Sequence, residues 1–377
     1  MYQLYDLVSI HNDEFRLEAK RRINKIIDEN SFIEGEYNKK FEEEFADMQG
    51  ANFCRLVANG TDALEVSLKA FDIEAGDLVG IPGITFYATA EAVYNVGAIP
   101  ILVDVEEDTG VMCPKSLERV SSEYDLKAVI AVHIYGIPCK MDKISHICRS
   151  KGIKIIEDAA QASGTITPMG PAGANPYSIS TFSFYPTKNL SAMGDAGAIL
   201  CSDIELAKKV EVIRNHGRGG HAVVGRNSRC DHFQAAVLHL KLQDIDDQNM
   251  RRKNNAKLYY QHINNPSLKL LPIEYVETSS WHLFPMRMKS RVEAKNIVSH
   301  LQSKGIGCSD IYYAKSMAME PALDGVRGER EVANSMAGRV VCIPITPFLT
   351  SEDIKFISTE INNFNRPEKS NEQRPQL

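Results

Sequence analysis

The chain has 377 residues, of which 44% are hydrophobic and 24% charged, and its formal net charge is −6. This composition is ordinary for a globular protein and excludes collagen, coiled coil and intrinsic disorder as the main class. The acidic balance and the lack of a long basic run disfavour a nucleic-acid partner, because binding a phosphate backbone needs a concentrated positive surface.

Targeting and membrane-spanning segments are not expected. The first residues lack the basic stretch followed by an apolar stretch that is typical of a secretory signal. No run reaches about 18 uncharged apolar residues, which a membrane helix needs. The eight cysteines are scattered without C-x-x-C spacing, so neither a zinc site nor a redox dithiol is indicated. We therefore expect a cytoplasmic protein with no membrane partner and no metal.

In the first third of the chain, strand-like apolar runs alternate with helical stretches. Helical periodicity first appears in residues 13–28. The predicted strands are then 78–81, 99–103, 128–132 and 153–156, and the predicted helices are 61–71, 86–96 and 141–150. This alternation is typical of βαβ units, so we predict an α/β fold with a large, mostly parallel sheet.

The second half of the chain predicts more of this domain and then a smaller one. The predicted elements are a strand at 196–200, a helix at 204–215, two helices within 230–262, a strand at 283–288 and a helix at 291–302. We predict a large domain at 1–245, including an N-terminal helical segment, and a small C-terminal α+β domain at 246–377. Residues 364–377 are polar and contain proline, so we expect a frayed tail.

One lysine lies between a proline-containing turn and a loop of small residues. Lys188 follows Pro186 and Thr187 and precedes residues 191–197, which include two glycines. Such a segment suits a helix face poorly but can present an amine to a cleft. A solvated surface lysine is, from this feature alone, an equally good interpretation.

A carboxylate ends one of the predicted buried strands. Asp158 follows Ile155 and Ile156, and open α/β sheets bind their ligands at the carboxyl ends of strands. If the ligand is a pyridine ring, this carboxylate can keep the ring nitrogen protonated and so make the ring an electron sink. A simple helix cap is the alternative.

Two further strand-to-helix transitions could contribute to such a site. Gly60 and Thr61 begin a predicted helix, whose free N–H groups and dipole favour a phosphate. Phe86 lies at another transition, where its ring could stack on a flat cofactor. Each signal is weak alone, because capped helices are common and aromatic residues more often belong to a core.

Together these segments resemble the DegT/StrS-type sugar aminotransferases, which have the aspartate aminotransferase (type I) fold and use pyridoxal 5′-phosphate. The resemblance covers roughly residues 10 to 350, in the family's order. Its most specific run is Phe182-Ser183-Phe184-Tyr185-Pro186-Thr187-Lys188-Asn189. The other matching runs are 59–64, 88–93, 132–136, 157–162, 214–217 and 227–229.

The resemblance implies how the cofactor ring would be held. Lys188 would bind the cofactor as a Schiff base and then move a proton between the substrate carbon and the cofactor. Asp158 would pair with the ring nitrogen, Gln161 would face the ring hydroxyl oxygen, and Phe86 would stack on the ring.

The resemblance also implies a phosphate site shared between subunits. Gly60, Thr61 and Ser183 would bind the phosphate within one chain. Asn227 would reach it from a neighbouring subunit, so a complete site would need a homodimer.

The implied activity is transfer of an amino group from L-glutamate to a carbonyl sugar, for an amino sugar of a surface polysaccharide or lipopolysaccharide. Family members that dehydrate instead carry a histidine in place of the lysine, whereas this chain has Lys188. The alternative from another class is a cofactor-binding sensor or scaffold without turnover.

Two departures from the family pattern bear on the acceptor. Residues 308–322 lack the tyrosine, proline and histidine pattern common in nucleotide-sugar members, and residues 171–176 are also unusual. We therefore favour 8-oxo-3,8-dideoxy-octulosonate as acceptor, with a nucleotide-linked 3- or 4-keto-6-deoxysugar as the alternative. Arg218, Arg229 and Lys315 are candidate partners of an anionic acceptor, but each could equally be a solvated charge.

Overall fold

The computed structural model describes residues 2–364 and has the predicted α/β class. Apart from Phe364, the predicted frayed tail lies outside the described residues. The helices are α1 (Leu7–Ile10), α2 (Asp13–Asp28), α3 (Glu36–Gln49), α4 (Gly60–Ala70), α5 (Ala88–Asn95), α6 (Pro114–Glu123), α7 (Met141–Ser150), α8 (Ile204–Arg214), α9 (His232–Leu242), α10 (Ile245–His262), α11 (Arg291–Ser303), α12 (Glu331–Met336) and α13 (Ser351–Asn363). The strands are β1 (Phe53–Val57), β2 (Leu78–Pro82), β3 (Ile99–Val103), β4 (Leu126–Val132), β5 (Lys154–Asp158), β6 (Ile166–Thr167), β7 (Gly170–Pro171), β8 (Ser178–Ser183), β9 (Gly197–Cys201), β10 (Leu268–Leu270), β11 (Phe284–Met288), β12 (Arg327–Gly328) and β13 (Val340–Ile343).

Eight strands form the large sheet, in the order β1-β9-β8-β5-β4-β2-β3-β12. Strands β8, β5, β4, β2, β3 and β12 pair in parallel, whereas β9 runs antiparallel to both β8 and β1. Helices cover both faces of such a sheet, so its strands need apolar residues at successive positions. Residues 128–132 of β4 are accordingly all buried.

This topology collects strand ends at one edge. Because β1, β2, β5 and β8 share one direction, their carboxyl ends lie on the same side of the sheet. The chain leaves these ends at Val57, Pro82, Asp158 and Ser183. Residues that are far apart in sequence are thereby brought to one cleft, as expected for ligand sites of α/β sheets.

Helix α3 was not predicted, although it covers part of the sheet. Its Phe41 and Phe45 are fully buried, and the Phe45 ring packs edge-on against Phe182 and Phe184 at centroid distances of 5.0 and 5.3 Å. The spacing of four residues between these phenylalanines places them on one face of the helix. Seven charged residues in the same helix make this spacing hard to recognise in the sequence.

The C-terminal part of the chain contains a second, antiparallel sheet of strands β10, β11 and β13. Helix α10 begins at Ile245, which is the predicted domain boundary. However, β12 returns to the large sheet and pairs with β3, and Tyr2 forms a bridge with Ile306. The division into domains at 1–245 and 246–377 stays a prediction.

Most predicted elements agree with the structure to within about two residues. The helix predicted at 86–96 begins at Ala88, and this difference of two residues leaves Phe86 in the loop before it. Within residues 2–364, no helix combines the length and apolar content needed to cross a bilayer. In the same range, no group of three or more His, Cys, Asp or Glu side chains is arranged to hold a metal.

Candidate active site

A cavity of about 260 Å³ opens at the collected strand ends. Seven of the eight residues predicted from the sequence line it, namely Gly60, Thr61, Phe86, Asp158, Gln161, Ser183 and Lys188. The eighth, Asn227, is exposed and lines an adjacent cavity of about 370 Å³, which shares Asp195 with the first.

The start of α4 forms an anion cradle. Asn59 caps the helix by accepting a hydrogen bond from the N–H of Asp62 at 2.8 Å. The N–H groups of Gly60 and Thr61 have no hydrogen-bond partner in residues 2–364. A Cβ atom on Gly60 would lie 2.8 Å from that of Ser183, so only glycine lets Ser183 lie against the helix start. This cradle fits a phosphate group, which is stabilised by free N–H groups and the helix dipole.

Asp158 is a buried carboxylate held by two donors. Its Oδ2 accepts a hydrogen bond from the Thr89 hydroxyl at 3.0 Å, and its Oδ1 accepts one from the N–H of Ala160 at 3.2 Å. Burial raises the pKa of Asp158, whereas these hydrogen bonds and the nearby Lys188 oppose that rise. A protonated ring nitrogen would supply the cation that a buried carboxylate requires.

Lys188 presents a poorly solvated amine to the same cavity. Its Nζ makes no hydrogen bond or ion pair with the described residues. Burial lowers the pKa of Lys188 to about 8, and the negative charge of Asp158 limits the fall. An amine with this pKa is partly uncharged near neutral pH, as a nucleophile or proton carrier requires.

The loop that carries Lys188 is fixed by its neighbour Asn189. The Asn189 side-chain amide donates hydrogen bonds to the carbonyl oxygen of Ser280 at 2.8 Å and to Oδ1 of Asn249 at 3.1 Å. The N–H of Lys188 donates to the carbonyl oxygen of Tyr185 at 2.8 Å. These contacts fix the backbone of the loop from which the Lys188 side chain extends.

Gln161 and Phe86 provide a polar and an apolar wall. Oε1 of Gln161 accepts a hydrogen bond from the N–H of Tyr135 at 2.6 Å, and its Nε2 donates to the Tyr313 hydroxyl at 3.1 Å. Phe86 is 62% exposed, although phenylalanine is usually buried. An exposed ring on a cavity wall leaves its face available to a flat ligand.

The sequence analysis did not predict several other lining residues, among them Tyr5, Thr89, His282 and Tyr313. Thr89 lies within a run that matched the family, and Tyr313 lies within the segment 308–322 that departs from the family pattern. The rings of Tyr5 and His282 lie 5.9 Å apart, although 277 positions separate them in the chain. Burial and the charges of Lys188 and Arg252 lower the pKa of His282 far below its usual range, so this ring is neutral.

The sequence left open whether His133 belongs to the site or is a packed histidine. Its ring is fully buried, with Nε2 2.9 Å from Glu157 Oε2, and Nδ1 accepts a hydrogen bond from the N–H of Cys139 at 3.0 Å. The other carboxylate oxygen of Glu157 accepts from the Ser178 hydroxyl at 2.6 Å. His133 therefore belongs to the packed sheet, not to the cavity wall.

The three candidate cations for an anionic acceptor do not line the cavity. Arg229 hydrogen-bonds to the side chains of Asn215 and Asn227, Lys315 pairs with Glu320 at 3.4 Å, and Arg218 is exposed. The unusual segment 171–176 lies against α3 and β9, where a Cβ on Gly173 would contact Gln49 and Leu200. It does not contribute to the cavity.

Comparison with known proteins identifies the family. The model of the DegT/DnrJ/EryC1/StrS aminotransferase family matches residues 13–362. The chain belongs to this family. The expected type I fold and the enzyme class are thereby confirmed, and this protein is a sugar aminotransferase that depends on pyridoxal 5′-phosphate.

Three curated relatives of this aminotransferase illustrate the family's range. The dTDP-3-amino-3,6-dideoxy-α-D-galactopyranose transaminase of Aneurinibacillus thermoaerophilus is 34% identical, over 97% of this chain and 99% of the relative. The UDP-N-acetyl-3-dehydro-α-D-glucosamine 3-aminotransferase of Acidithiobacillus ferrooxidans is 34% identical, over 93% and 95%. The erythromycin biosynthesis sensory transduction protein EryC1 of Saccharopolyspora erythraea is 35% identical, over 90% and 93%.

Solved structures agree with this assignment. A DegT/DnrJ/EryC1/StrS aminotransferase from Brucella abortus superposes with a TM-score of 0.89 at 31% identity, covering 97% of this chain and 99% of the other. NtdA from Bacillus subtilis, whose structure contains the cofactor PMP, gives a TM-score of 0.84 at 25% identity, covering 95% and 84%.

Proposed function

We propose that this aminotransferase transfers the amino group of L-glutamate to carbon 3 of a nucleotide-linked 3-keto sugar. The transfer rests on one observation, the shared cavity of the Lys188 amine and the buried Asp158 carboxylate. The relatives from Aneurinibacillus thermoaerophilus and Acidithiobacillus ferrooxidans are both named for sugars that are linked to a nucleotide and aminated at carbon 3. These names support the nucleotide-linked acceptor over the octulosonate, which stays a prediction without support from them.

Five residues would hold the cofactor's phosphate and ring. When bound, pyridoxal 5′-phosphate supplies an aldehyde that carries amino groups and a ring that withdraws electrons from the reacting carbon. Gly60, Thr61 and Ser183 would donate hydrogen bonds to its phosphate. Asp158 would accept a hydrogen bond from the ring nitrogen, and the face of Phe86 would exclude water from one side of the ring.

Two of these contacts depend on supporting side chains. The hydroxyl of Thr89 keeps the Asp158 carboxylate in place and favours its charged form. Tyr135 and Tyr313 orient the amide of Gln161, which would lie beside the ring hydroxyl oxygen. Such orientation places the reacting carbon in a fixed position relative to Lys188.

Lys188 would move the proton in both halves of the reaction. Its Nζ accepts the proton released from Cα of the donor glutamate. In the second half, Nζ delivers a proton to carbon 3 of the sugar as the amino group is transferred. An amine pKa of about 8 suits both directions, because a group acts best as acid and base when its pKa is close to the working pH.

We also propose that Asn227 acts from a partner subunit. Asn227 lines the cavity adjacent to the cofactor site, but not the site of its own chain. Asp195 lines both cavities, so a partner chain seated there would reach the anion cradle of α4. A homodimer with shared active sites fits this arrangement.

A substrate panel tests the proposed acceptor. Purified protein is incubated with L-glutamate and each of three acceptors: a nucleotide-linked 3-keto sugar, its 4-keto isomer and 8-oxo-3,8-dideoxy-octulosonate. We expect kcat/KM to be at least about 100-fold higher for the 3-keto sugar, with one 2-oxoglutarate formed per amino sugar, because a site built for one carbonyl position rejects the other.

Two results would contradict this proposal. Faster turnover of the octulosonate would restore the acceptor that the sequence favoured. A cofactor absorbance band unchanged by glutamate, in a protein that still binds the cofactor, would favour the sensor alternative. The Lys188→Ala variant provides the control, since it should bind cofactor yet form no 2-oxoglutarate.

A further inference from the structure

Arg252 is a buried charge without a counterion. This residue lies on α10 and is only 5% exposed. Within residues 2–364 its guanidinium makes neither an ion pair nor a hydrogen bond, and its Nη1 atom is completely buried without a partner. Arg214, which is 6% exposed, instead pairs with Glu34 at 3.0 Å and Glu211 at 2.6 Å. A guanidinium does not lose its proton in proteins, so the charge of Arg252 needs an anion.

Arg252 faces a small cavity beside the active site. This cavity measures about 20 Å³, which is room for one particle of the size of a water molecule. Tyr5, Thr187 and His282 line both this cavity and the cofactor cavity, so a thin wall separates the two. This small cavity therefore lies next to the cofactor cavity, which Lys188 lines, but is separate from it.

Two threonine hydroxyls beside this cavity can donate hydrogen bonds to an anion. The hydroxyls of Thr187 and Thr346 have no hydrogen bond to the described part of the chain, so both are free to donate. Asp6 is the one carboxylate among the lining residues of this cavity. Its oxygens accept hydrogen bonds from the N–H and hydroxyl of Ser9, at 3.0 and 2.5 Å, and do not ion-pair with Arg252.

We propose that Arg252 and the free threonine hydroxyls bind a monatomic anion of the chloride class in this cavity. A water molecule would satisfy the hydrogen bonds but leave the buried charge without compensation. Room for about one water-sized particle favours a monatomic anion over a carboxylate group, which has three heavy atoms. The anion would lie next to His282, on which both Arg252 and Lys188 act electrostatically, and so would reduce the positive potential beside the active amine.

Thermal unfolding of the cofactor-loaded protein tests this site. The Tm is measured in sodium chloride and in sodium gluconate at equal ionic strength, because gluconate is too large for the cavity. We expect chloride to raise the Tm by about 1–3 °C with saturation, since a ligand that binds only the folded state stabilises it. Arg252→Met should remove this difference. Arg251→Met is the matched control, because Arg251 lies on the same helix, exposed and paired with Asp247, and should retain it.

Crystals grown in bromide provide a second test that needs no variant. We expect an anomalous peak within hydrogen-bond distance of Arg252. The proposal is overturned if the Tm of the wild-type protein does not depend on the halide, or if Arg252→Met retains that dependence. It is also overturned if the anomalous peak appears without any effect on the Tm, since that result means binding at crystal concentration only. A Tm rise produced by glutamate alone and lost in Arg252→Met would assign the residue to the donor carboxylate instead.

Discussion

Lys188 and Asp158 affect each other's protonation. Burial lowers the pKa of the amine, while the carboxylate raises it; burial raises the pKa of the carboxylate, while the amine lowers it. The result is an amine pKa of about 8 in a cavity that would otherwise favour the neutral form of both groups. The reactivity of Lys188 therefore depends on its surroundings more than on its position in the loop.

This balance predicts a pH profile for Lys188. In cofactor-free protein, modification of Lys188 by an amine-selective reagent should rise about tenfold per pH unit and level off above pH 8, because only the uncharged amine reacts. Peptide mass spectrometry at several pH values measures this. In Asp158→Asn the opposing charge is gone, so the midpoint should fall below pH 8. A midpoint that stays the same or rises would contradict the coupling.

At the scale of elements, the parallel strands and the start of α4 make the site. Phe86, Asp158 and Ser183 each lie at or just beyond the carboxyl end of a strand, and Gly60 opens the helix that follows β1. A helix start binds an anion well when its free N–H groups are held in a fixed orientation. The hydrogen bond between the Asn59 side chain and the N–H of Asp62 holds the start of α4 in this way. The cap therefore contributes to binding as well as to stability.

Removing this cap should have two effects. Asn59→Ala should lower the free energy of unfolding by about 1 kcal/mol and weaken cofactor binding roughly fivefold, since the helix start loses its hydrogen bond to the N–H of Asp62. Ser290→Ala is the matched control, because Ser290 caps α11 by accepting from the N–H of Glu293 at 3.1 Å and does not line the cofactor cavity. Urea unfolding and cofactor titration measure both effects. Equal loss of cofactor affinity in the two variants would show that the cap acts through stability alone.

At the scale of the whole molecule, the exposed surface beside the active site suits a partner chain. Val223 and Val224 are 46% and 86% exposed in the segment before Asn227, although valine is usually buried. Phe86 and Tyr185 are also exposed at the cavity opening. Exposed apolar side chains such as these are typical of an interface.

Mixing two inactive variants tests whether the subunits share sites. Lys188→Ala and Asn227→Ala proteins should each be nearly inactive. If Asn227 serves the partner's site, a mixed dimer contains one intact site, so random exchange of subunits should restore about a quarter of wild-type activity. Light scattering establishes the dimer. If Asn227 acted within its own chain, mixing would restore nothing.

Patterns in the sequence predicted the fold class and five residues that line the cavity, and the family resemblance added Gln161 and Ser183. The βαβ rhythm follows from local periodicity, and the residues around Lys188, Asp158 and Gly60 lie next to signals that are readable within about ten positions. Such signals can be recognised without the tertiary structure, because nearby residues specify where a strand ends and where a helix begins.

Only the tertiary structure decided the rest of the site. Tyr5, His282 and Tyr313 come from distant parts of the chain, and no local pattern marks them as neighbours of Lys188. The same holds for the unpaired charge of Arg252, because a missing counterion is a property of packing. The sheet order brings these segments together in a buried site of low dielectric. This burial shifts the pKa values of the titratable side chains there, and sequence position alone does not reveal such shifts.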